Sequence, residues 1–315
     1  MSSLNRTPAG LTIPKPLRPG DTVMMIGVSG AVRAEDVPAE VAAAARKLES
    51  LGFRVRTDES CFRRHGYLCG TDAERADALN RAFADDTVDG VWCIRGGYGC
   101  IRMLDLVDWE LIRSHPKAFI GFSDITTLHI ALHERCGLCT FHGPMGLSAL
   151  ADDGTRSSLL HAVGGTPDAQ LVNFSQPPAF ALRGGVAEGP LVGGNLTLVA
   201  SAVGTRYDLD VRGRLLFLED VGERTYVLDR LLHQLYTAGR LTDCAGIILG
   251  GFTDCTVEHP EAGLTLEEIL SELCGRLSVP VLAGLQCGHL AETLTLPLGR
   301  VFRLDADAGT LTLVG

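Results

Sequence analysis

The sequence lacks an excess of basic residues, a long apolar run and any internal repeat. Its 315 residues include 28 Lys and Arg against 38 Asp and Glu, for a formal net charge of −10. This balance argues against a nucleic-acid or anionic-membrane partner, which would need a basic face. No apolar run approaches the ~18 residues of a membrane-spanning helix, and no basic stretch followed by an apolar segment marks a secretory signal. We therefore expect a cytoplasmic protein with no nucleic-acid and no membrane partner.

Metal-site and disulfide patterns are also scarce, although the chain has ten cysteines. Cys136-Gly137-Leu138-Cys139 has CxxC spacing, but no second CxxC and no histidine pair at zinc-site spacing accompanies it. In a long chain without a secretory signal, cysteines are more often free thiols than a disulfide framework. We expect half-buried thiols here rather than a zinc or redox site.

What is present describes a globular chain large enough for two domains. Hydrophobic residues make up 46% and charged residues 21% of the composition, and 315 residues suit one large or two ordinary domains. Periodicity fades between about Asp152 and Pro178. We predict a polar lead-in at 1–16, a first domain at 17–165, a linker at 166–182 and a second domain at 183–315.

The first half alternates strand and helix signals. Thr71 and Glu74 form a capping box that opens a helix, and a strand over 88–94 ends in the glycine-rich loop Arg95-Gly96-Gly97-Tyr98-Gly99. This alternation predicts a parallel sheet with right-handed crossovers, whose functional groups gather at the carboxyl ends of the strands. The other predicted elements are strands over 22–28, 53–57, 118–120 and 139–142, helices over 37–51 and 125–135, and a short helix capped by Asp108.

The second half is richer in strand patterns. Gly193-Gly194-Asn195-Leu196 leads into a short helix, and further helices are predicted over 225–238 and 266–277. Strands are predicted over 214–218, 245–250, 293–296, 301–304 and 310–314. We expect a mixed, β-rich α+β domain.

Gly121-Phe122-Ser123-Asp124 places a serine between an apolar strand and a helical pattern. A serine on such a turn has its hydroxyl at the carboxyl edge of a sheet, beside the first amides of the next helix, where negative charge is stabilised. Hydrolytic α/β enzymes display a nucleophile in this way. Ile125 stands where the usual pattern has its last glycine, and helix capping without chemistry is the alternative.

A nucleophilic serine needs a base and an acid that orients the base. Among nine histidines, His289 follows a short apolar strand and a glycine, which predicts a strand-end loop, and we favour it over His142. Glu219 follows the apolar run Leu215–Leu218, so a strand delivers its carboxylate to a sheet edge. Asp220 and Glu223 remain rival acids.

The loop Arg95–Gly99 has three glycines, which let backbone amides approach a ligand. It lacks the Lys-Ser/Thr of a phosphate-binding loop. It suits one side of an oxyanion hole better, with the Gly97 and Asp124 amides flanking the carbonyl that Ser123 attacks. A plain tight turn is the alternative.

Together, these pieces resemble the LD-carboxypeptidase family of serine peptidases, which includes the microcin-C immunity peptidases. The resemblance runs from about Leu17 to the C-terminus. It rests on the glycine-rich loop, on Gly121–Asp124 and on four further motifs, namely His142-Gly143-Pro144, Gly193–Leu196, Leu218–Glu223 with Asp229-Arg230, and Gly288-His289 followed by Thr295–Gly299.

The resemblance implies a Ser–Glu–His triad in which Ser123 is the nucleophile, Glu219 the orienting acid and His289 the general base. It implies an α/β fold with an N-terminal Rossmann-like parallel sheet domain, a C-terminal mixed, β-rich α+β domain and a site in the cleft between them. Family members are typically cytoplasmic homodimers without metal, so we expect a homodimer with no metal and no cofactor.

The implied reaction is release of D-alanine from a murein tetrapeptide during peptidoglycan recycling. A substrate with a free C-terminal carboxylate needs a cation nearby, for which Arg95 and Arg102 are candidates by position, and Tyr98 is a further substrate-binding candidate. The same triad acting on a peptidyl-nucleotide antibiotic is the alternative, but the chain offers only Trp92 and Trp109 as tryptophan platforms for a base. A silent binding module and a cysteine hydrolase are less favoured, because the triad is intact and the turn carries Ser123.

Overall fold

The structure is a computed structural model that describes residues 10–150, 152–166, 170–257, 261 and 263–314. Contacts divide the chain into two units, Met1–Thr166 and Pro167–Gly315. Each unit has its own apolar core. Of the predicted lead-in, residues 1–9 lie outside the described residues. Thr12 exchanges backbone hydrogen bonds with Gly137 and Cys139, so the later part of the lead-in belongs to the first unit.

The first unit contains a parallel sheet whose strands pair in the order β5-β4-β3-β1-β2. From β1 the chain crosses over to β2 on one side of β1, and from β2 it crosses back to β3 on the other side of β1. The crossover direction therefore reverses between β1 and β3. Ligands of open α/β sheets bind outside the carboxyl ends of strands at such a point. The elements of the first unit are β1 Thr22–Ile26, α1 Val37–Glu49, β2 Arg54–Thr57, α2 Asp72–Ala84, β3 Gly90–Cys93, α3 Cys100–Met103, α4 Trp109–Ser114, β4 Ala118–Gly121, α5 Thr126–Cys136, β5 Thr140–His142 and α6 Asp153–Val163. Short 3₁₀ turns lie at Glu59–Cys61, Leu104–Leu106 and Ser123–Ile125.

Local sequence signals explain these elements. Strands β3 and β4 are buried along their whole length, as expected for central parallel strands covered by helices on both faces. The predicted capping box is present, since the Thr71 hydroxyl accepts the Glu74 backbone N–H while the Glu74 carboxylate accepts that of Thr71. Asp108 caps α4 through the Leu111 backbone N–H at 3.0 Å.

The second unit contains a mixed sheet with strand order β6-β14-β13-β8-β9-β10-β11-β7. Strands β8 to β11 are parallel neighbours, and the remaining pairs are antiparallel. The predicted mixture of a parallel-sheet half and a mixed, β-rich half is therefore confirmed. The elements are β6 Gln170–Leu171, β7 Phe180–Arg183, β8 Val186–Asn195, α7 Leu196–Ala202, β9 Leu215–Val221, α8 Thr225–Thr237, β10 Gly246–Thr253, α9 Leu266–Cys274, β11 Val281–Ala283, β12 Leu296–Leu298, β13 Val301–Asp305 and β14 Thr310–Leu313.

The stretch 166–182, which we predicted as a linker, contributes strands to the second unit. Strand β6 pairs with β14, and β7 begins at Phe180; residues 167–169 lie outside the described residues. Helix α6 also lies where periodicity fades. Its N-cap Asp152 accepts the Thr155 backbone N–H at 2.6 Å, and its buried Leu159 and Val163 join the core of the first unit.

Candidate active site

Ser123 lies on a strained turn between β4 and α5. Its φ is +66°, in the left-handed region that costs a non-glycine residue about 1–2 kcal/mol. Phe122 before it is extended, and Ser123 itself opens a 3₁₀ turn that runs into α5. Such strain at a strand-to-helix turn is how a serine hydroxyl is presented above a sheet.

The glycine-rich loop after β3 packs directly against this serine. A Cβ placed on Gly96 would lie 2.7 Å from the Ser123 Cβ and 2.9 Å from its Oγ, so only glycine allows this approach. Gly97 and Gly99 have φ of +134° and +123°, which keeps their backbone in conformations that other residues rarely adopt. The backbone N–H of Gly30, after β1, donates to the Gly96 carbonyl at 3.2 Å. Loops from β1, β3 and β4 therefore meet at Ser123.

The three substrate-binding candidates differ in their surroundings. Arg95 is half-buried and donates to the carbonyls of Ala31 at 2.7 Å and Gly96 at 3.1 Å, and burial lowers the pKa of its guanidinium. Arg102 is paired with Asp72 at 3.1 Å. Tyr98 is 49% exposed. Arg95 thus also joins two loops, and the charge of Arg102 is partly balanced by an acid that the sequence pattern did not indicate.

In the second unit, Glu219 on β9 contacts His289. The carboxylate of Glu219 is fully buried, and its Oε2 lies 2.7 Å from Nδ1 of His289. The backbone N–H of His289 donates to the same oxygen at 3.3 Å. A Cβ on Gly288, whose φ is +117°, would lie 2.7 Å from that oxygen. The glycine before His289 is therefore needed for the imidazole to reach the carboxylate. Because Nδ1 contacts the carboxylate, Nε2 is the ring nitrogen suited to act as a base.

The loop that carries His289 is held by side chains that our sequence reasoning missed. Oε1 of Gln286 accepts the backbone N–H groups of Phe174 at 2.9 Å and Ser175 at 3.0 Å. The Gln286 backbone N–H donates to Oδ1 of Asn173 at 2.7 Å. Because 111 or more residues separate these partners, no sequence pattern could have indicated the contact.

The rival acid Asp220 bonds residues at the start of α7 and not the imidazole. Its Oδ1 accepts Nδ2 of Asn195 at 2.8 Å, and its Oδ2 accepts the backbone N–H of Thr197 at 3.0 Å. Neighbouring residues on a strand point to opposite faces, so Asp220 fixes the start of α7 while Glu219 contacts the imidazole.

His142 is buried, with its ring 5.8 Å from that of Phe122 and 6.2 Å from that of His129. His129 is also buried. Its Nε2 lies 2.8 Å from the Gly121 carbonyl, and its Nδ1 lies 2.8 Å from the Thr140 hydroxyl. Since a carbonyl only accepts, Nε2 carries the proton of a neutral imidazole. Both rings therefore pack beneath the turn that carries Ser123.

His129 should make stability depend on pH. Burial lowers the pKa of His129 to about 3, well below the ordinary imidazole value of 6.5. Between these two pH values the unfolded chain therefore binds a proton that the folded chain does not. The free energy of unfolding should therefore fall as pH drops below 6.5, with a contribution from His129 of about 2 kcal/mol at pH 5. Urea unfolding of the wild type and His129→Gln at pH 7.5 and 5.0 measures this. The wild type should lose about 2 kcal/mol more than the variant, and parallel losses would contradict the assignment.

All ten cysteines are free thiols, nine of them buried, and burial raises the pKa of Cys136 in the CxxC segment to about 12. Such a thiol is protonated and unreactive. Within the described ranges, no group of three or more His, Cys, Asp or Glu side chains is arranged to hold a metal ion. Over the same part of the chain, no helix combines the length and apolar character of a membrane span.

A serine on a strained turn and a histidine bonded to a buried carboxylate are the parts of a serine hydrolase. Residues 23–143 match the LD-carboxypeptidase N-terminal domain, and residues 188–304 match the LD-carboxypeptidase C-terminal domain. The chain belongs to the LD-carboxypeptidase family and is an enzyme of the serine-type carboxypeptidase class.

Two named relatives come from bacteria. The chain is 41% identical over 290 residues to the "Probable murein peptide carboxypeptidase" of Bacillus subtilis (strain 168), covering 91% of this chain and 89% of the relative. It is 36% identical over 270 residues to the murein tetrapeptide carboxypeptidase of Pseudomonas aeruginosa, covering 83% and 87%. Both relatives are named as carboxypeptidases of murein peptides.

Two solved structures are similar over nearly the whole chain. The muramoyltetrapeptide carboxypeptidase from Oxalobacter formigenes has a TM-score of 0.79 at 30% identity, covering 93% of this chain and 97% of that one. MccF in complex with glutamyl sulfamoyl guanosine has a TM-score of 0.85 at 23% identity, covering 96% and 98%. The second likeness shows the shared fold alone.

Proposed function

We propose that this enzyme hydrolyses the amide bond before the terminal D-alanine of murein tetrapeptides through an acyl-enzyme. The observation that carries the proposal is Ser123 in the left-handed region with Gly96 packed against it. This arrangement has a steric cost that a glycine at 123 would avoid. The names of the relatives supply the substrate class.

In the proposed mechanism, Ser123, Glu219 and His289 act as a catalytic triad. Ser123 Oγ attacks the carbonyl of the amide bond before D-alanine while Nε2 of His289 takes the hydroxyl proton of Ser123. Glu219 holds the imidazole in the required tautomer through Nδ1 and stabilises the imidazolium. The Gly97 and Asp124 backbone amides donate to the oxyanion. His289 then protonates the amine of the leaving D-alanine, and water, deprotonated by His289, releases the acyl group.

Arg95, Tyr98 and Arg102 are proposed to bind the substrate beside the glycine-rich loop. Tyr98 is exposed beside the glycine-rich loop, and its ring lies 5.9 Å from that of Tyr67, which is also exposed. The two guanidinium groups would attract the free C-terminal carboxylate of the peptide, with Arg102 giving up part of its pairing with Asp72.

The cellular setting follows from the substrate class and the family resemblance. We propose a cytoplasmic homodimer that acts in peptidoglycan recycling, without a metal or another cofactor. A muropeptide released from the cell wall carries its own terminal carboxylate. The triad would supply nucleophile and base, and the Gly97 and Asp124 amides would supply the oxyanion donors, so every catalytic group is a protein group.

The alternative is a microcin-C-type immunity peptidase that uses the same triad on a peptidyl-nucleotide. The fold shared with MccF favours it. Trp92 weighs against it, because this side chain is fully buried, donates to the Pro144 carbonyl at 2.9 Å and packs against Phe53. It cannot stack on a nucleobase, which leaves half-buried Trp109 as the remaining tryptophan.

Release of free alanine from defined tetrapeptides tests the substrate assignment. Two peptides with diaminopimelate or lysine at the third position should release D-alanine, while matched peptides ending in L-alanine should release at least 100-fold less. A site that orients one stereocentre misplaces the scissile bond of the other, and misplacement by about 1 Å costs on the order of 100-fold. Equal cleavage of both stereoisomers would contradict the proposal, and cleavage of a peptidyl-nucleotide conjugate alone would favour the alternative.

A further inference from the structure

A buried hydrogen bond joins the loop after β1 to the residue that follows the proposed nucleophile. Ser29 donates its hydroxyl proton to Oδ2 of Asp124 at 2.6 Å. The same oxygen accepts the backbone N–H of Cys100 at 3.0 Å, at the start of α3 directly after the glycine-rich loop. Ser29 and Asp124 are buried to 0% and 1% exposure. One carboxylate oxygen therefore connects the loops that follow β1, β3 and β4.

The carboxylate depends strongly on these two donors. Its other oxygen, Oδ1, is buried and has no hydrogen-bond partner within the described ranges. A buried carboxylate is costly unless it is hydrogen-bonded, and bonds to an ionised group are shorter and about twice as strong as neutral ones. A shift of any of the three loops would weaken one of these bonds, so the carboxylate holds the loops at fixed separations.

Both proposed oxyanion donors lie on the backbone that this carboxylate holds. One is the amide of Asp124 itself. The other belongs to Gly97, where an added Cβ would lie 3.1 Å from the Gly30 Cα and 3.6 Å from the Ser29 Oγ. The Gly97 backbone thus rests on the Ser29 loop, and oxyanion donors are effective only within about 2.7–3.1 Å of the developing charge.

We propose that Ser29 and Asp124 form a clamp that positions the two oxyanion-hole amides. The clamp rests on the proposed function, since it needs Ser123 to be the nucleophile. Its side chains are positioning residues: they touch neither substrate nor the reacting atoms and act through the amides of Gly97 and Asp124. Their loss should weaken transition-state binding and leave ground-state binding nearly unchanged.

Ser29→Ala and Asp124→Asn test the clamp, with Ser60→Ala as the matched control. Ser60 is also a buried serine of the first unit, and its hydroxyl accepts the Gly27 backbone N–H at 2.9 Å without contacting Asp124. We expect kcat to fall about 10-fold in Ser29→Ala and about 100-fold in Asp124→Asn, with KM within about twofold. Ser60→Ala should keep the kcat of the wild type. Circular dichroism identifies any variant that fails to fold. If Asp124→Asn does not fold, Ser29→Ala, which is the milder change, is sufficient to test the clamp.

A second readout separates positioning from general loosening. A peptidyl boronic acid in which boron replaces the scissile carbonyl carbon forms a tetrahedral adduct with the serine and places an oxygen in the oxyanion hole. Its affinity should fall in the clamp variants by the same factor as kcat/KM, while the affinity for the tripeptide product stays within about twofold.

Equal kcat in Ser29→Ala and Ser60→Ala would overturn the clamp, as would parallel weakening of the boronic acid and the tripeptide. If the wild type releases no D-alanine, or if Ser123→Ala releases it as fast as the wild type, the proposed function fails and the clamp fails with it. If release requires Ser123 but both clamp variants keep full kcat, only the clamp is wrong.

Discussion

Ser123→Ala should lower the rate of D-alanine release from a murein tetrapeptide by a factor on the order of 10⁴ to 10⁶. The change removes the attacking oxygen and keeps the Cβ, so the left-handed backbone at φ +66° and the contact with Gly96 are undisturbed. The loss would therefore report the missing nucleophile and not a moved loop. Coupled detection of free D-alanine, with an excess of variant enzyme, measures rates this low.

Ser123→Gly provides the control, because the strain at this position makes a second, opposite prediction. Glycine adopts positive φ without the steric cost of a Cβ, so Ser123→Gly should be as inactive as Ser123→Ala but more stable by about 1 kcal/mol. Urea or thermal unfolding of the two inactive variants compares them directly. If Ser123→Ala released D-alanine as fast as the wild type, another group would have to attack the substrate. Equal stability of Ser123→Ala and Ser123→Gly would argue against strain at Ser123.

Local signals in the sequence were sufficient for most elements. The capping box of Thr71 and Glu74, the Asp108 cap and the apolar runs before Ser123 and Glu219 depend on neighbours within a few residues, and each element formed where its pattern indicated. Strand β8 was missed because Gly189, Pro190, Gly193 and Gly194 interrupt its pattern. There the absence of a side chain allows close approach, since a Cβ on Gly189 would collide with the Gly213 carbonyl.

The candidate site likewise contains groups that local patterns predict and partners that they do not. Ser123 follows β4 and His289 lies in a loop, as the strand patterns predict, whereas Glu219 lies within β9, which extends to Val221. The contact between Glu219 and His289 is present at 2.7 Å. The partners that adjust these groups come from distant segments. Asp72 pairs with Arg102, 30 residues later, and Ser29 bonds Asp124, 95 residues later. A single sequence does not show which charges are balanced by tertiary contacts, so the substrate-binding role of Arg102 was inferred without its acid partner.

Glu219→Gln should lower kcat by about 10³- to 10⁴-fold with little change in KM. The buried carboxylate has a single oxygen that contacts both Nδ1 and the backbone N–H of His289. If the amide oxygen of glutamine takes this place, the imidazole keeps its tautomer but loses the negative charge that stabilises the imidazolium. If the amide nitrogen takes it, the proton moves to Nε2 and the base is lost. Either orientation slows proton transfer in both steps of the reaction.

The adjacent acid on β9 is the matched control. Asp220 is equally buried, and its carboxylate accepts bonds from Asn195 and Thr197 at the start of α7. Asp220→Asn should therefore lower the free energy of unfolding by about 1–3 kcal/mol, since it leaves buried donors poorly paired, while the folded enzyme keeps a kcat near that of the wild type. Steady-state kinetics and urea unfolding of the two variants should give opposite profiles. A loss of kcat in Asp220→Asn as large as that in Glu219→Gln would transfer the orienting role to Asp220, because the two residues share a strand and differ mainly in which face their carboxylates point to.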